Sequence, residues 1–148
     1  MHPTAARVQE RLRARGLDVE VQVLPDSTRT AADAAAAVGC EPGQIVKSLV
    51  FRRGEQPVMV LCAGDRRVDA KRLGLDAATA EEARAATGFA IGGVPPLGHD
   101  RELETIADES LRRFETVWCA AGTPHAVFEV STEALLAALP SASVADVS

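Results

Sequence analysis

Two features of this 148-residue chain could do chemistry. The first is the run Ile91-Gly92-Gly93-Val94-Pro95-Pro96-Leu97-Gly98-His99. Gly92 and Gly93 can take backbone conformations closed to other residues and let a ligand approach the main chain. Pro95 and Pro96 fix φ and remove two backbone donors. The run therefore predicts a stiff loop whose remaining N–H groups, at Gly92, Gly93, Val94, Leu97 and Gly98, are free to point at a ligand. Such a loop can hold an anion or an oxyanion through its backbone alone. The plainer alternative is a tight connection between two strands with no ligand.

The second feature is Lys47, the charge inside Ile45-Val46-Lys47-Ser48-Leu49-Val50-Phe51. A lysine in a central strand costs free energy unless its ammonium reaches water or an acceptor. It reads either as a snorkelling side chain at a strand end or as a fixed cation on the floor of a cleft. In that second role it would bind a phosphate or polarise an ester carbonyl. Its neighbour Ser48 has no His or Asp at a triad spacing and is not read as a nucleophile. His99 and His125 sit in turn-like segments beside Gly or Pro, as general bases or as hydrogen-bonding loop residues. No HExxH, CxxC or zinc spacing occurs, and the GxGxxG and GxxxxGK[ST] fingerprints are missing. No metal or other cofactor is expected. Cys40, Cys62 and Cys119 are odd in number and far apart, and read as buried small apolar residues in a reducing cytoplasm.

Composition narrows the classes. The apolar fraction of 47% and charged fraction of 25% are ordinary for a globular domain. No apolar run approaches the roughly 18 residues of a membrane span. The first residues lack the apolar core and cleavage site of a signal peptide, so a cytoplasmic protein is expected. A net charge of −5 argues against a protein that coats nucleic acid, and DNA is not an expected partner. Basic residues are nevertheless grouped, as Arg52-Arg53, Arg66-Arg67 and Lys71-Arg72.

The elements that must carry these residues can be read in outline. Ala5, Val8 and Leu12 share a helical face, with Gly16 placed to end it. Residues 17–23 alternate apolar and polar as a half-buried strand does, and Pro25-Asp26 ends it in a turn. Thr30 caps a helix over 31–38, followed by Gly39. Strands over 45–51 and 58–63, joined by Gly54-Glu55-Gln56-Pro57, should form the sheet's centre and be covered on both faces. Asp69 caps a short helix to Leu73. Thr79 and Glu82 form a capping box for a helix ending near Gly88. Residues 89–91, 103–107, 116–121 and 126–130 read as strands, and Ser131 caps a helix over 132–139. The tail, 140–148, is expected to be loose. The mixture predicts one α+β domain over residues 1–148, with helices around a mixed, largely antiparallel sheet.

Three segments resemble the YbaK-type aminoacyl-tRNA deacylases, which are related to the editing domain inserted in bacterial prolyl-tRNA synthetases. One is Gly43-Gln44-Ile45-Val46-Lys47-Ser48-Leu49-Val50, similar to the family's strand with a functional lysine followed by Thr or Ser. The second is Thr87-Gly88-Phe89-Ala90-Ile91-Gly92-Gly93-Val94-Pro95-Pro96-Leu97-Gly98, similar to its Gly-Pro substrate loop. The third, weaker, is the Gly122 turn with Val127-Phe128-Glu129-Val130. The resemblance runs from about residue 4 to 139.

The resemblance implies a cytosolic hydrolase of the ester between a wrong amino acid and its tRNA. The implied partners are the aminoacyl-tRNA 3′ end and an aminoacyl-tRNA synthetase. Lys47, Gly92 and Gly93 would be catalytic. Ser48, Val94, Pro95, Pro96, Leu97, Gly98, His99 and His125 would bind substrate. Water would be the nucleophile, assisted by the substrate's own ribose hydroxyl or, in cysteine-clearing members, by its thiol. Those members carry an Asp where this chain has Val127, and an early aromatic where it has Val21 to Leu24. A small apolar amino acid such as alanine, on the tRNA for proline or a similar one, is therefore expected at least as much as cysteine. The alternative is a non-catalytic module on the same fold that binds a tRNA end, a nucleotide or a protein.

Overall fold

The computed structural model describes residues 1–25 and 30–148; Asp26, read above as a turn residue, lies outside them. Helix α1 (Pro3–Ala14) begins with proline at its first position, where no intrahelical donor is needed. It buries Ala5, Val8 and Leu12, as the 3.6-residue period requires. Helix α2 (Ala31–Val38) starts at Thr30, whose hydroxyl accepts from the Asp33 N–H, and ends at Gly39 with φ +76°. Helix α3 (Ala80–Thr87) carries the reciprocal Thr79–Glu82 capping box. Helix α4 (Thr132–Ala138) is capped by Ser131.

Among the described residues the strands form two sheets, not one. Strands β2 (Val46–Arg53) and β3 (Gln56–Ala63) make an antiparallel hairpin in register from Val46↔Ala63 to Arg53↔Gln56. β3 is the middle of a five-stranded sheet. Its other edge pairs in parallel with β5 (Glu104–Asp108), which pairs in parallel with β8 (Ala142–Ala145). The short β4 (Asp76–Ala77) reaches β2 only at Phe51 and Arg52. The second sheet is antiparallel, in the order β1 (Gln22–Val23), β7 (Ala126–Ser131), β6 (Thr116–Ala120). Among the described residues a single bridge, Ile45 to Trp118, joins the two.

The expected α+β class is what the chain forms. β3 explains its own continuous apolar run. Met59, Leu61 and Ala63 face the main core with α1 and the second sheet. Val58, Val60 and Cys62 face a smaller core with Leu75, Ile106 and Val147. A strand covered on both faces cannot alternate. Among the described residues no helix is long and apolar enough to cross a membrane.

Several local expectations are corrected. Only Gln22 and Val23 of the alternating segment 17–23 gain a ladder partner, although Leu17, Val19 and Val21 are buried as the alternation requires. Residues 89–91 form no strand; they lead into a turn over 90–93, closed by the Gly93 N–H on the Ala90 carbonyl at 3.1 Å. Asp69 does accept from the Arg72 N–H, but the segment stops at turns instead of a helix. The tail is not loose: β8 pairs with β5, and Val147 is fully buried. Cys62 and Cys119 are buried, while Cys40 is only half-buried.

Candidate functional site

A cleft of about 680 Å³ opens where the two sheets meet. β2 forms its floor from Ile45 to Phe51, and β6 contributes Trp118, Cys119 and Ala120. Helix α2 walls it with Ala31, Ala34 and Val38, and the roof is Ile91, Gly92, Val94 and the turn at Thr123. The fold explains the floor. β2 is paired along its whole length with β3 but meets β4 only at its end, so its other edge borders the cleft. The alanine-rich α2 places small side chains there, which leaves volume for a ligand.

Two polar residues of β2 border the cleft, and strand alternation turns their side chains to opposite faces: Lys47 pairs with Cys62 and Ser48 with Leu61. Lys47 Nζ donates to the Arg66 carbonyl at 2.5 Å. The acceptor that an intrastrand lysine requires is thus the backbone of the turn after β3. One bond occupies one of three ammonium donors and fixes the cation in place. The Ser48 Oγ is buried and has no hydrogen-bond partner among the described residues. Leaving a buried hydroxyl unpaired costs about 1–3 kcal/mol.

No carboxylate and no imidazole appears among the described residues that line the cleft. The one thiol there, Cys119, is held protonated because burial pushes its pKa far up. Behind the floor, burial pushes Cys62 up to about 11, with Lys47 acting in the opposite direction but losing. Burial and the neighbouring Glu129 and Glu41 likewise raise Cys40, which is not part of the lining. Among the described residues the site offers a cation and backbone donors, but no activated nucleophile or general base.

The Gly-Pro loop splits into two halves. Gly92 (φ +95°) and Val94 face the cleft, and neither N–H donates to a described protein acceptor. Ile91 projects beside them, 63% exposed. Gly93 corrects the expectation of a free donor. Its N–H closes the turn on Ala90, and its carbonyl accepts from the Gly122 N–H at 2.8 Å. A Cβ on Gly93 would lie 2.6 Å from the Gly122 carbonyl oxygen. Glycine is needed there so that two backbones can touch. Pro95, Pro96, Leu97 and Gly98 are buried and point away, and none lines the cleft. Arg11 of α1 donates to the Gly98 carbonyl at 2.9 Å and pairs with Asp100. His99 Nε2 donates to the Pro95 carbonyl at 2.6 Å and meets Phe89 edge-on. Burial holds the His99 pKa below its ordinary value. His125 is exposed in a neighbouring groove.

The structure therefore brings Lys47, Ser48, Gly92 and Val94 together and separates them from Pro95, Pro96, Leu97, Gly98, His99 and His125. Sequence reasoning missed Trp118, Thr123 and the wall of α2. The signal available for α2 was its run of alanines, a helix with nothing bulky before Val38.

Comparison with known proteins identifies the family. The model of the aminoacyl-tRNA editing domain matches residues 25–138. A Bacillus subtilis protein, YwhH, is 34% identical over 123 residues, covering 78% of each chain. The proline–tRNA ligase of Bacillus licheniformis is 32% identical over 98 residues, 62% of this chain but only 17% of that protein. A solved structure described as a candidate trans-editing enzyme for prolyl tRNA synthetase has 48% identity and a TM-score of 0.91, covering 99% of this chain and 97% of that one. Another, of the hypothetical protein APE2540, has 31% identity and a TM-score of 0.84, covering 95% and 98%. With the family model spanning most of its length, the chain belongs to the aminoacyl-tRNA editing domain family.

Proposed function

We propose that the chain is a trans-editing hydrolase that removes a small amino acid from mischarged tRNA, the tRNA for proline or a similar one. The observation that carries this reading is the cleft itself: an alanine wall from α2, one fixed ammonium and, among the described residues that line it, no activated nucleophile. The ester would lie over β2, its carbonyl oxygen toward the N–H groups of Gly92 and Val94. Charge developing on that oxygen is what such donors stabilise. Lys47 holds the terminal nucleoside, and Ser48 borders the substrate through the free edge of β2. Water adds to the carbonyl carbon, and the bond to the ribose oxygen breaks. The ribose oxygen leaves with a proton, giving free amino acid and tRNA. With no imidazole or carboxylate among the described residues of the lining, the water's proton passes by way of the substrate's own neighbouring ribose hydroxyl to the leaving ribose oxygen.

The lining also includes Val127 and Ala126, which favour an apolar side chain over a charged one. An apolar pocket separates residues one methylene apart by only about 10–200-fold, so neighbouring small amino acids should also be released. The protein works in the cytoplasm, with an aminoacyl-tRNA synthetase as a further partner. The test is release of labelled amino acid from a panel of mischarged tRNAs by the whole chain. Release of a small apolar residue, with correctly charged tRNA left intact, is expected. A panel that stays fully charged would leave the non-catalytic module as the better reading.

A further inference from the structure

A second groove, of about 710 Å³, lies beside the cleft. The two share Thr123, Pro124 and Ala126, so the turn between β6 and β7 is their common rim. The groove runs between the start of α1 and the end of α3. Its charged lining is basic: Arg7 and Arg84, with His2 and His125 beside them. No Asp or Glu lines it among the described residues. Asp100, whose carboxylate lies next to Gly88, is bonded to Arg11 at 2.9 Å. Arg7 and Arg84 form no ion pair among the described residues. The Arg7 guanidinium stands 5.7 Å above the Phe89 ring, which holds it at the groove wall. On a chain of net charge −5, an acid-free groove with two arginines is a local reversal of sign.

We propose that this groove binds the phosphodiester backbone of the single RNA strand that leads into the aminoacyl cleft. The inference rests on the deacylase reading above. If the terminal nucleoside sits over Lys47, the strand must leave the cleft across its rim. The rim at Thr123 opens directly into the basic groove. Guanidinium groups are suited to phosphate oxygens because their planar fork can make two parallel bonds. Backbone phosphates carry no sequence information, so the groove would position any acceptor end without selecting the tRNA.

The experiment compares two substrates: a mischarged tRNA, and the same amino acid esterified to adenosine alone, which has no upstream phosphate. Wild type, Arg7→Gln and Arg84→Gln are assayed over a salt series. Each variant should raise KM for the tRNA several-fold and reduce the log–log salt slope by about 0.7 for each phosphate no longer neutralised. Hydrolysis of the adenosine ester should not change. Arg84 has no described side-chain partner, so Arg84→Gln is the arm least exposed to misfolding, and melting temperature is recorded for both. An unchanged tRNA KM and salt slope would overturn the proposal, as would equal losses on both substrates. If wild type hydrolyses neither substrate, the deacylase reading itself has failed, a result distinct from a wild type active on both with indifferent variants.

Discussion

Replacing Gly93 by alanine tests whether this glycine serves the backbone or the ligand. Its Cβ would meet the Gly122 carbonyl oxygen at 2.6 Å, the Gly122 carbonyl carbon at 2.7 Å and Thr123 Cα at 2.9 Å. All three are main-chain atoms, so no side chain can swing aside. The loop at 91–94 must then separate from the turn at 122–124, breaking the Gly122 N–H bond to the Gly93 carbonyl. Overpacking of this kind costs about 1–3 kcal/mol, and the broken hydrogen bond adds about 0.5–1.5 kcal/mol. For a domain of this size each kcal/mol is worth about 2–4 °C, so Gly93→Ala should melt roughly 5–15 °C below wild type. Gly92 is the contrast. A Cβ there has only Pro124 Cγ, at 3.8 Å, but the φ of +95° resists any L side chain. Gly92→Ala should cost about 1–2 kcal/mol of strain and lower turnover disproportionately, because its methyl borders the cleft. Calorimetry beside single-turnover hydrolysis, below both melting points, reads the two effects. A Gly93→Ala protein that melts like wild type would refute the close approach of the two backbones as the reason for glycine.

Other outcomes follow from the same site. Lys47→Ala should reduce deacylation on the order of a hundredfold, with melting little changed; normal turnover in folded protein would remove Lys47 from the mechanism. Alkylating reagents at pH 7–8 should leave activity intact, because the Cys62 thiol titrates only near 11 and burial raises Cys119 and Cys40 as well; a modified cysteine with abolished activity would contradict this. His99 is held below its ordinary value of 6.5, chiefly by burial. Its contribution to stability is therefore present above about pH 6.5 and is lost as the pH falls from there through the lowered value. Melting temperature should drop between pH 7 and 5, and His99→Gln should flatten that drop; equal slopes would show that other groups carry the acid sensitivity.

Much of this fold is legible in the sequence because its signals are local. The Thr30 cap, the Thr79–Glu82 box and the apolar hairpin of β2 and β3 each depend on residues a few positions apart. Elsewhere periodicity reports burial but not pairing. Leu17, Val19 and Val21 alternate into the core without a ladder, since side-chain period fixes a face and says nothing of a partner strand. β8 is hidden for a related reason: Ala142–Ala145 has no apolar run, and its order comes from the edge of β5. At the site, Lys47 stands out as a charge among apolar neighbours, and Gly92 and Val94 as backbone donors. What no spacing can show is that the loop turns over at Gly93. The half from Pro95 to His99 is fastened to α1 through Arg11, 87 residues from Gly98 in the chain. His125, read from its turn as substrate-binding, lines the neighbouring groove and not the cleft.

The most direct measurement is a crystal structure of the whole chain with a non-hydrolysable amide analogue of alanyl-adenosine. The amide carbonyl is predicted to lie within hydrogen-bond distance of the Gly92 and Val94 N–H groups, the methyl among the alanines of α2 and Val127, and the nucleoside against Lys47. An analogue bound outside the cleft, or one whose carbonyl faces neither N–H, would contradict the proposed mechanism.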